Sequence, residues 1–449
     1  MPMAQPADSA RGQHARRARG RGRRAFGRRI GAIVAAALTA SLVIAVPAPA
    51  RADYVRDLEY WLDDYGISDA WDITRGAGQR IAVIDTGIAD VPELRGAVVG
   101  GTDESGLGSP DGRTPVGDGS EHGTLVGSIL AGRGDGGSGV IGVAPDAELL
   151  SISVAFGEGP VGTEDQIANA VRWAVDNGAD IINMSLTTNT LDWPTSWDDA
   201  FLYAFEHDVV IVAAAGNRGA GTAEVGAPAT IPGVVAVAGV DKDGDASADA
   251  SSQGITLAVA APSEQLIGIQ PDGEPVYWSG TSGAAPIVAG IVALIRAAHP
   301  ELDANSVIQR LIATAKPQSS TVPDPLYGYG LVDADAAVRA DIAPVTSNPL
   351  AVPYDLAEWI RIYRRADAAP APTSSPTPET VVPSASPEAI PQRPPSLPEL
   401  IPRWLRSLIP HTSVLTDAVL PLGLLLGFGA FLAAGIVGTV RAAGRSRRR

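Results

Sequence analysis

The sequence predicts an α/β domain in three layers, with a mostly parallel central sheet and helices on both faces. Short, continuous apolar runs recur at 81–84, 149–154, 181–186, 209–215, 234–240 and 256–260. Runs without polar alternation are those of strands covered on both faces. Longer segments with helical spacing of apolar residues lie between them, at 163–177, 198–207, 284–298 and 304–315. Strand and helix in alternation build βαβ units and hence a parallel sheet.

Each element has a local reason. Residues 53–80 form a short lead-in whose apolar anchors are Trp61, Tyr65, Ile67 and Trp71. The first strand, 81–84, ends at Asp85-Thr86-Gly87. Residues 100–120 are rich in Gly, Asp, Ser and Pro, the composition of a surface loop. After His122-Gly123-Thr124 a helix is expected over 125–131. In the helix 163–177, Thr163 is placed to cap, and Glu164 and Asp165 suit the positive first turn. Ile167, Ala170, Val171, Ala174 and Val175 share its buried face, and Gly178 stops it. The strand 209–215 leads into Gly216-Asn217. Gly280-Thr281-Ser282-Gly283 opens the apolar helix 284–298, with Pro286 expected in the first turn, where a missing N–H matters least.

The two ends carry membrane signals. Residues 1–52 contain a run of Arg from Arg16 to Arg29, an apolar stretch at 31–46 and a small-residue cleavage site, Ala50-Arg51-Ala52. That is the pattern of an export signal. Residues 418–440 are free of charge and long enough to span a bilayer. The basic tail 441–449 follows at once and is expected in the cytoplasm. Between about 342 and 417 the chain is dominated by Pro, Ser, Thr and Ala, as in an extended tether. The expected product is a single-pass cell-membrane protein in contact with the lipid bilayer, with residues 53–341 folded outside the cell.

Charge and cysteine content exclude several classes. The formal net charge of −16 includes ten Arg in residues 1–52 and five after Val440, so the segment between is more acidic still. A nucleic-acid partner would need a basic face, and none is indicated. With no cysteine, the chain has no disulfide scaffold, no thiol nucleophile and no thiolate metal site.

Four polar residues stand where apolar runs end or begin. Ligands of open parallel sheets gather outside the carboxyl ends of the strands, where Asp85 and Asn217 fall. Of five histidines, His122 is the one at a loop–helix junction of the core. Ser282 lies between small residues at a helix start, where outward backbone N–H groups favour developing negative charge. A serine hydroxyl needs a base, and the base an orienting acid, to become a nucleophile. Taken singly, each residue is equally a cap or turn former.

Together, Asp85-Thr86-Gly87, His122-Gly123-Thr124, Gly216-Asn217 and Gly280-Thr281-Ser282 follow the order Asp, His, Ser. On these motifs the chain resembles the subtilisin-like serine proteases (subtilases) over residues 61–340. Further matching pieces are Gly142-Val143-Ala144-Pro145 and Ile182-Asn183-Met184-Ser185-Leu186. The resemblance implies the subtilisin-like three-layer fold and serine endopeptidase activity on a polypeptide substrate. It makes Ser282 the nucleophile, His122 the general base and Asp85 its orienting acid. It makes Asn217 an oxyanion donor, a role whose loss costs about 2.7–4 kcal/mol of barrier. Ser185 and Leu186 would offer an edge to an extended substrate. No cofactor and no metal are predicted. Structural calcium is a family possibility near Glu93 and Asp135, which surface turns explain as well.

Two departures from the family pattern shape the expectation. Thr187 and Thr188 stand where many subtilases carry paired glycines, which implies a narrower cleft than broad digestion needs. Only 32 positions separate Ala52 from Asp85, too few for a folded inhibitory pro-domain, so no autocatalytic removal of one is expected. The order of signal, lead-in, protease domain, tether, span and basic tail is similar to that of the mycosins, membrane-anchored subtilases linked to type VII secretion. That resemblance implies the type VII secretion membrane complex as a partner. A mainly structural role in that complex, or a general cell-surface protease, are the competing readings.

Overall fold

Apart from two one-turn helices of the lead-in (Trp61–Asp64, Ile67–Ala70), a small hairpin (Arg133–Asp135 with Ser138–Ile141) and three 3-10 turns, the elements in chain order are β1 (Arg80–Asp85), β2 (Val98–Asp103), α1 (His122–Ala131), β3 (Glu148–Ser153), α2 (Thr163–Asp176) and β4 (Ile181–Met184). There follow β5 (Leu186–Thr187), α3 (Thr195–Glu206), β6 (Val210–Ala214), β7 (Val235–Val240), β8 (Leu257–Pro262), β9 (Leu266–Ile269) and β10 (Pro275–Trp278). The last are α4 (Thr281–Ala298), α5 (Ala304–Thr314), α6 (Ala334–Arg339), α7 (Leu356–Tyr363), β11 (Val382–Pro383) and β12 (Glu388–Ala389). The structure, a computed structural model, describes residues 54–135, 138–157, 159–364, 382–383 and 388–389. The expected export signal, bilayer span and basic tail, and much of the expected tether, lie outside the described residues.

Seven strands form one sheet in the order β8-β7-β6-β4-β1-β3-β2, and every neighbouring pair is parallel. All seven carboxyl ends therefore open on one edge. The chain leaves β1 towards β3 and β2 on one side and continues with β4 on the other. This reversal beside β1 is where parallel sheets place their sites. Helices α1 and α4 pack together on one layer, and α2 and α3 on the other. Ile81, Ile84, Ile152, Ile182, Ile211 and Val212 have no exposed surface. Burying each such side chain stabilises the fold by about 1.5–3 kcal/mol.

Helix α4 is the centre of the domain. Its residues from Thr281 to Ile295 are all buried, and it touches β4, β6, β7, β8 and α1. Among the described residues it is the one helix long and apolar enough to cross a membrane, yet its apolar window is 83% buried inside the domain. Its composition reflects burial on all sides.

Several boundaries differ from the sequence reading. Helix α1 begins at His122 itself. Thr163 is the first residue of α2 and not its cap, because its hydroxyl accepts from Gly157 N–H at 3.0 Å. The run 181–186 breaks at Ser185 into β4 and β5. The stretch read as loop from residue 100 begins inside edge strand β2, whose glycines weaken the apolar signal. Pro286 lies in the second turn of α4, not the first.

The packed domain also runs past 341. Asp355 caps α7 through its carboxylate, which accepts from Glu358 N–H at 2.8 Å. Trp359 packs against Trp193 in a tilted pair, with ring centroids 4.3 Å apart at 36°. The Arg364 guanidinium lies over both rings and donates to Asp198 at 3.0 Å. The Pro- and Ala-rich average of this stretch conceals Leu356, Trp359, Ile360 and Tyr363 at helical spacing. Trp359→Ala is expected to cost about 1–2 kcal/mol, because the aromatic pair and its cation are lost together. In a domain of this size that lowers Tm by about 2–4 °C in a thermal melt. An unchanged Tm would show that α7 is not part of the cooperative unit.

The lead-in is likewise part of the domain. Trp61 is fully buried, and Tyr60 donates its hydroxyl to the Glu264 carbonyl at 2.9 Å. Burial raises the Tyr60 pKa well above the usual tyrosine range, with Tyr65, Glu264, Asp241 and Asp64 adding to it. The hydroxyl thus remains a donor.

Candidate active site

Asp85 closes β1 and His122 opens α1. Their meeting depends on two glycines. Gly87 has φ +103°, a left-handed conformation that costs glycine little. A Cβ on Gly123 would lie 2.4 Å from the Gly87 carbonyl oxygen, so only glycine lets the two backbones approach this closely. Threonines fasten the junction. Thr86 Oγ1 accepts from Gly123 N–H at 2.9 Å and donates to the Ser120 carbonyl at 3.0 Å. Thr124 Oγ1 accepts from Ala89 N–H at 3.0 Å.

His122 Nδ1 lies 2.8 Å and 2.9 Å from the two oxygens of Asp85. Oδ1 of Asp85 also accepts from Thr86 N–H at 2.7 Å. An ionised carboxylate can only accept, so the Nδ1 proton belongs to the imidazole and Nε2 presents its lone pair. Nε2 is buried and has no hydrogen-bond partner among the described residues. Asp85 is 1% exposed and His122 2%. Burial strengthens the pair, because the surrounding dielectric is low. Trp278 stands edge-on to the imidazole, with ring centroids 5.6 Å apart at 83°.

Ser282 is the second residue of α4, over the positive end of the longest helix among those described. Its Oγ donates to the Ser185 carbonyl at 3.0 Å. In return Ser185 Oγ donates to the Ser282 carbonyl at 2.8 Å. The second bond has a cause four residues on. The carbonyl of residue 282 would ordinarily accept from the N–H of residue 286, and Pro286 has none. Proline thus leaves the Ser282 carbonyl to the Ser185 hydroxyl, which ties the start of edge strand β5 to the serine. The sequence reading assigned Pro286 only a tolerated position.

Asn217 follows β6. Its side-chain oxygen accepts from Thr281 N–H at 2.9 Å and lies 3.0 Å from Thr281 Oγ1. Thr281 Oγ1 also accepts from Gly216 N–H at 3.1 Å. Pinning the oxygen sets the orientation of the amide and assigns its NH₂ as the donor end. Asp85, Ser185 and Asn217 thus lie at or just past the carboxyl ends of the neighbouring strands β1, β4 and β6, where Asp85 holds His122, Ser185 bonds to Ser282 and Asn217 to Thr281. Leu186 begins β5 beside them, buried.

The sequence reading missed three supporting residues. Thr86 and Thr281 were visible only as parts of motifs, although each lies between a glycine and a candidate residue. Trp278 belongs to the hairpin of β9 and β10, whose short strands contain Gly268 and Pro275 and are assigned no element from the sequence. Thr187 and Thr188 are buried, and their hydroxyls turn back to the carbonyls of Thr188 and Thr190 at 3.0 and 3.1 Å. Glu93, one of the two residues near possible calcium loops, is buried beneath Gly139.

Comparison with known proteins agrees with this architecture. Residues 76–330 match the subtilase family, Peptidase S8. Mycosin-4 of Mycobacterium tuberculosis is 37% identical over 349 residues, covering 68% of this chain and 74% of that protein. Subtilisin DY of Bacillus licheniformis is 37% identical over 268 residues, covering 59% of this chain and 92% of its own. The solved structure of the MycP3 protease from the type VII (ESX-3) secretion system superposes with a TM-score of 0.55 at 34% identity, covering 63% of this chain and 88% of that one. The parallel sheet, the order of the motifs and these similarities lead to one conclusion: the chain belongs to the subtilase family and is a subtilisin-type serine endopeptidase related to the mycosins.

Proposed function

We propose that the protein is a membrane-anchored endopeptidase that processes an exported polypeptide of a type VII secretion system, with Asp85, His122 and Ser282 as its triad. The observation that carries this reading is the buried Asp85–His122 pair, whose Nδ1 is held at 2.8 Å while Nε2 has no partner among the described residues. A base oriented at one nitrogen and open at the other is what a serine nucleophile needs.

The steps follow from the geometry. An extended peptide pairs with β5, which places its carbonyl near Ser282. The Ser282 hydroxyl rotates from the Ser185 carbonyl to donate to His122 Nε2. As Oγ attacks the carbonyl carbon, Nε2 takes the proton, and the Asp85 charge stabilises the imidazolium that forms. The oxyanion is met by the Asn217 amide and by the backbone N–H of Ser282 at the helix terminus. His122 returns the proton to the leaving amine, and water repeats the sequence on the acyl-enzyme. Thr187 and Thr188 favour a small set of substrates over broad digestion.

The secretion role draws on the similarity to the mycosins, and on the export signal and charge-free span in the sequence. Its test is Ser282→Ala in the host, with exported proteins compared by mass spectrometry of their termini. The expected result is continued export with at least one secreted protein left uncut. Identical termini with export intact in both strains would contradict processing and leave a structural role in the complex, whereas loss of export in Ser282→Ala would mean that export itself requires the catalytic serine.

A further inference from the structure

The tether returns to the site. Strand β11 pairs antiparallel with β5, with Val382 opposite Thr187 and Pro383 opposite Leu186. Strand β12 pairs antiparallel with β10, with Glu388 opposite Tyr277 and Ala389 opposite Val276. These are the two edges that flank the candidate triad. β5 starts next to Ser185, whose carbonyl accepts from Ser282 Oγ at 3.0 Å. β10 ends at Trp278, the ring against His122.

Direction matters as much as position. Because 382 faces 187 and 383 faces 186, the tether runs along β5 towards Ser185 and Ser282. A peptide about to be cut must run the same way, with the residues before the attacked carbonyl laid along the edge that leads to the serine. The second pairing follows only four residues later in the sequence, on the other flank. Ser282 is 0% exposed and His122 2%.

We propose that the segments 382–383 and 388–389 occupy the substrate cleft in cis, so that a substrate must displace the chain's own tether before it can bind. The inference rests on reading β5 as the substrate edge. Two short ladders are individually weak and readily displaced. Attachment to the same chain nevertheless holds them at an effective concentration in the millimolar range. The device therefore favours substrates that bind β5 and β10 together, and it restrains cleavage of chance peptides.

The experiment compares the full-length protein in detergent micelles with its double variant Val382→Pro, Glu388→Pro. Proline removes the backbone donor from each added strand without touching the folded domain. A second variant replaces residues 380–389 with Gly and Ser. The probe is a fluorophore-labelled peptide of residues 378–391, added in trans and followed by anisotropy. Both variants are expected to bind it about tenfold more tightly than wild type. Amide exchange in fragments covering 185–188 and 275–278 is expected to quicken in both. Equal peptide binding in all three proteins, binding in none, or unchanged exchange would overturn the proposal. Neither readout requires turnover, so an unreactive Ser282 would refute the catalytic reading without deciding this one.

Discussion

Ser282→Ala and His122→Ala are each expected to lower kcat for peptide hydrolysis by a factor on the order of a million. The size is that found for the subtilisin triad acting as a unit. Neither loss should be repaired by the other residue. Without Ser282 there is no oxygen to attack, and without His122 nothing within the buried site takes its proton. Fold and helix α4 should survive, since alanine is a better helix former than serine and the displaced bond from Ser282 Oγ to the Ser185 carbonyl is a single one. The double variant should be no slower than either single variant, which steady-state kinetics and a circular dichroism spectrum check together. Additive losses would mean that the two residues act separately.

Asp85→Asn is the second large effect, with kcat expected to fall about ten-thousandfold. The substitution keeps the shape and can keep the acceptor for Thr86 N–H, which Asp85 meets at 2.7 Å. What changes is the direction of the bond at His122. An amide NH₂ facing Nδ1 requires Nδ1 to accept, so the imidazole proton moves to Nε2. The base then presents a donor where it must present a lone pair. The loss should appear in kcat, with KM little changed, because Asp85 touches His122 and not the peptide. A wild-type rate in a folded Asp85→Asn protein would remove the tautomer argument.

The chemistry was more legible in the sequence than its supports. Asp85 and Asn217 could be found because a parallel sheet turns the end of each buried apolar run into a place on one edge. His122 and Ser282 could be found because each opens a helix among small residues. The partners of these residues were hidden, since they act through backbone contacts that span many residues of sequence. Nothing near Pro286 shows that its missing N–H leaves a carbonyl for Ser185. Trp278 was lost because a hairpin of four-residue strands containing Gly and Pro resembles a loop. Helix α7 was lost for a related reason, since its apolar residues sit inside a stretch whose average composition is that of a tether. The pairing of 382–383 with β5 is not legible at all, because two residues carry no periodicity.

The central claim is that the Asp85–His122 pair activates Ser282. Labelling with a fluorophosphonate probe, followed by peptide mass spectrometry, tests it most directly. Membranes bearing wild type, Ser282→Ala and His122→Ala are compared. The account predicts that wild type is labelled, that the modified residue is Ser282, and that both variants are unlabelled. Label on another residue, label retained in His122→Ala, or a folded wild type that takes no label would contradict it.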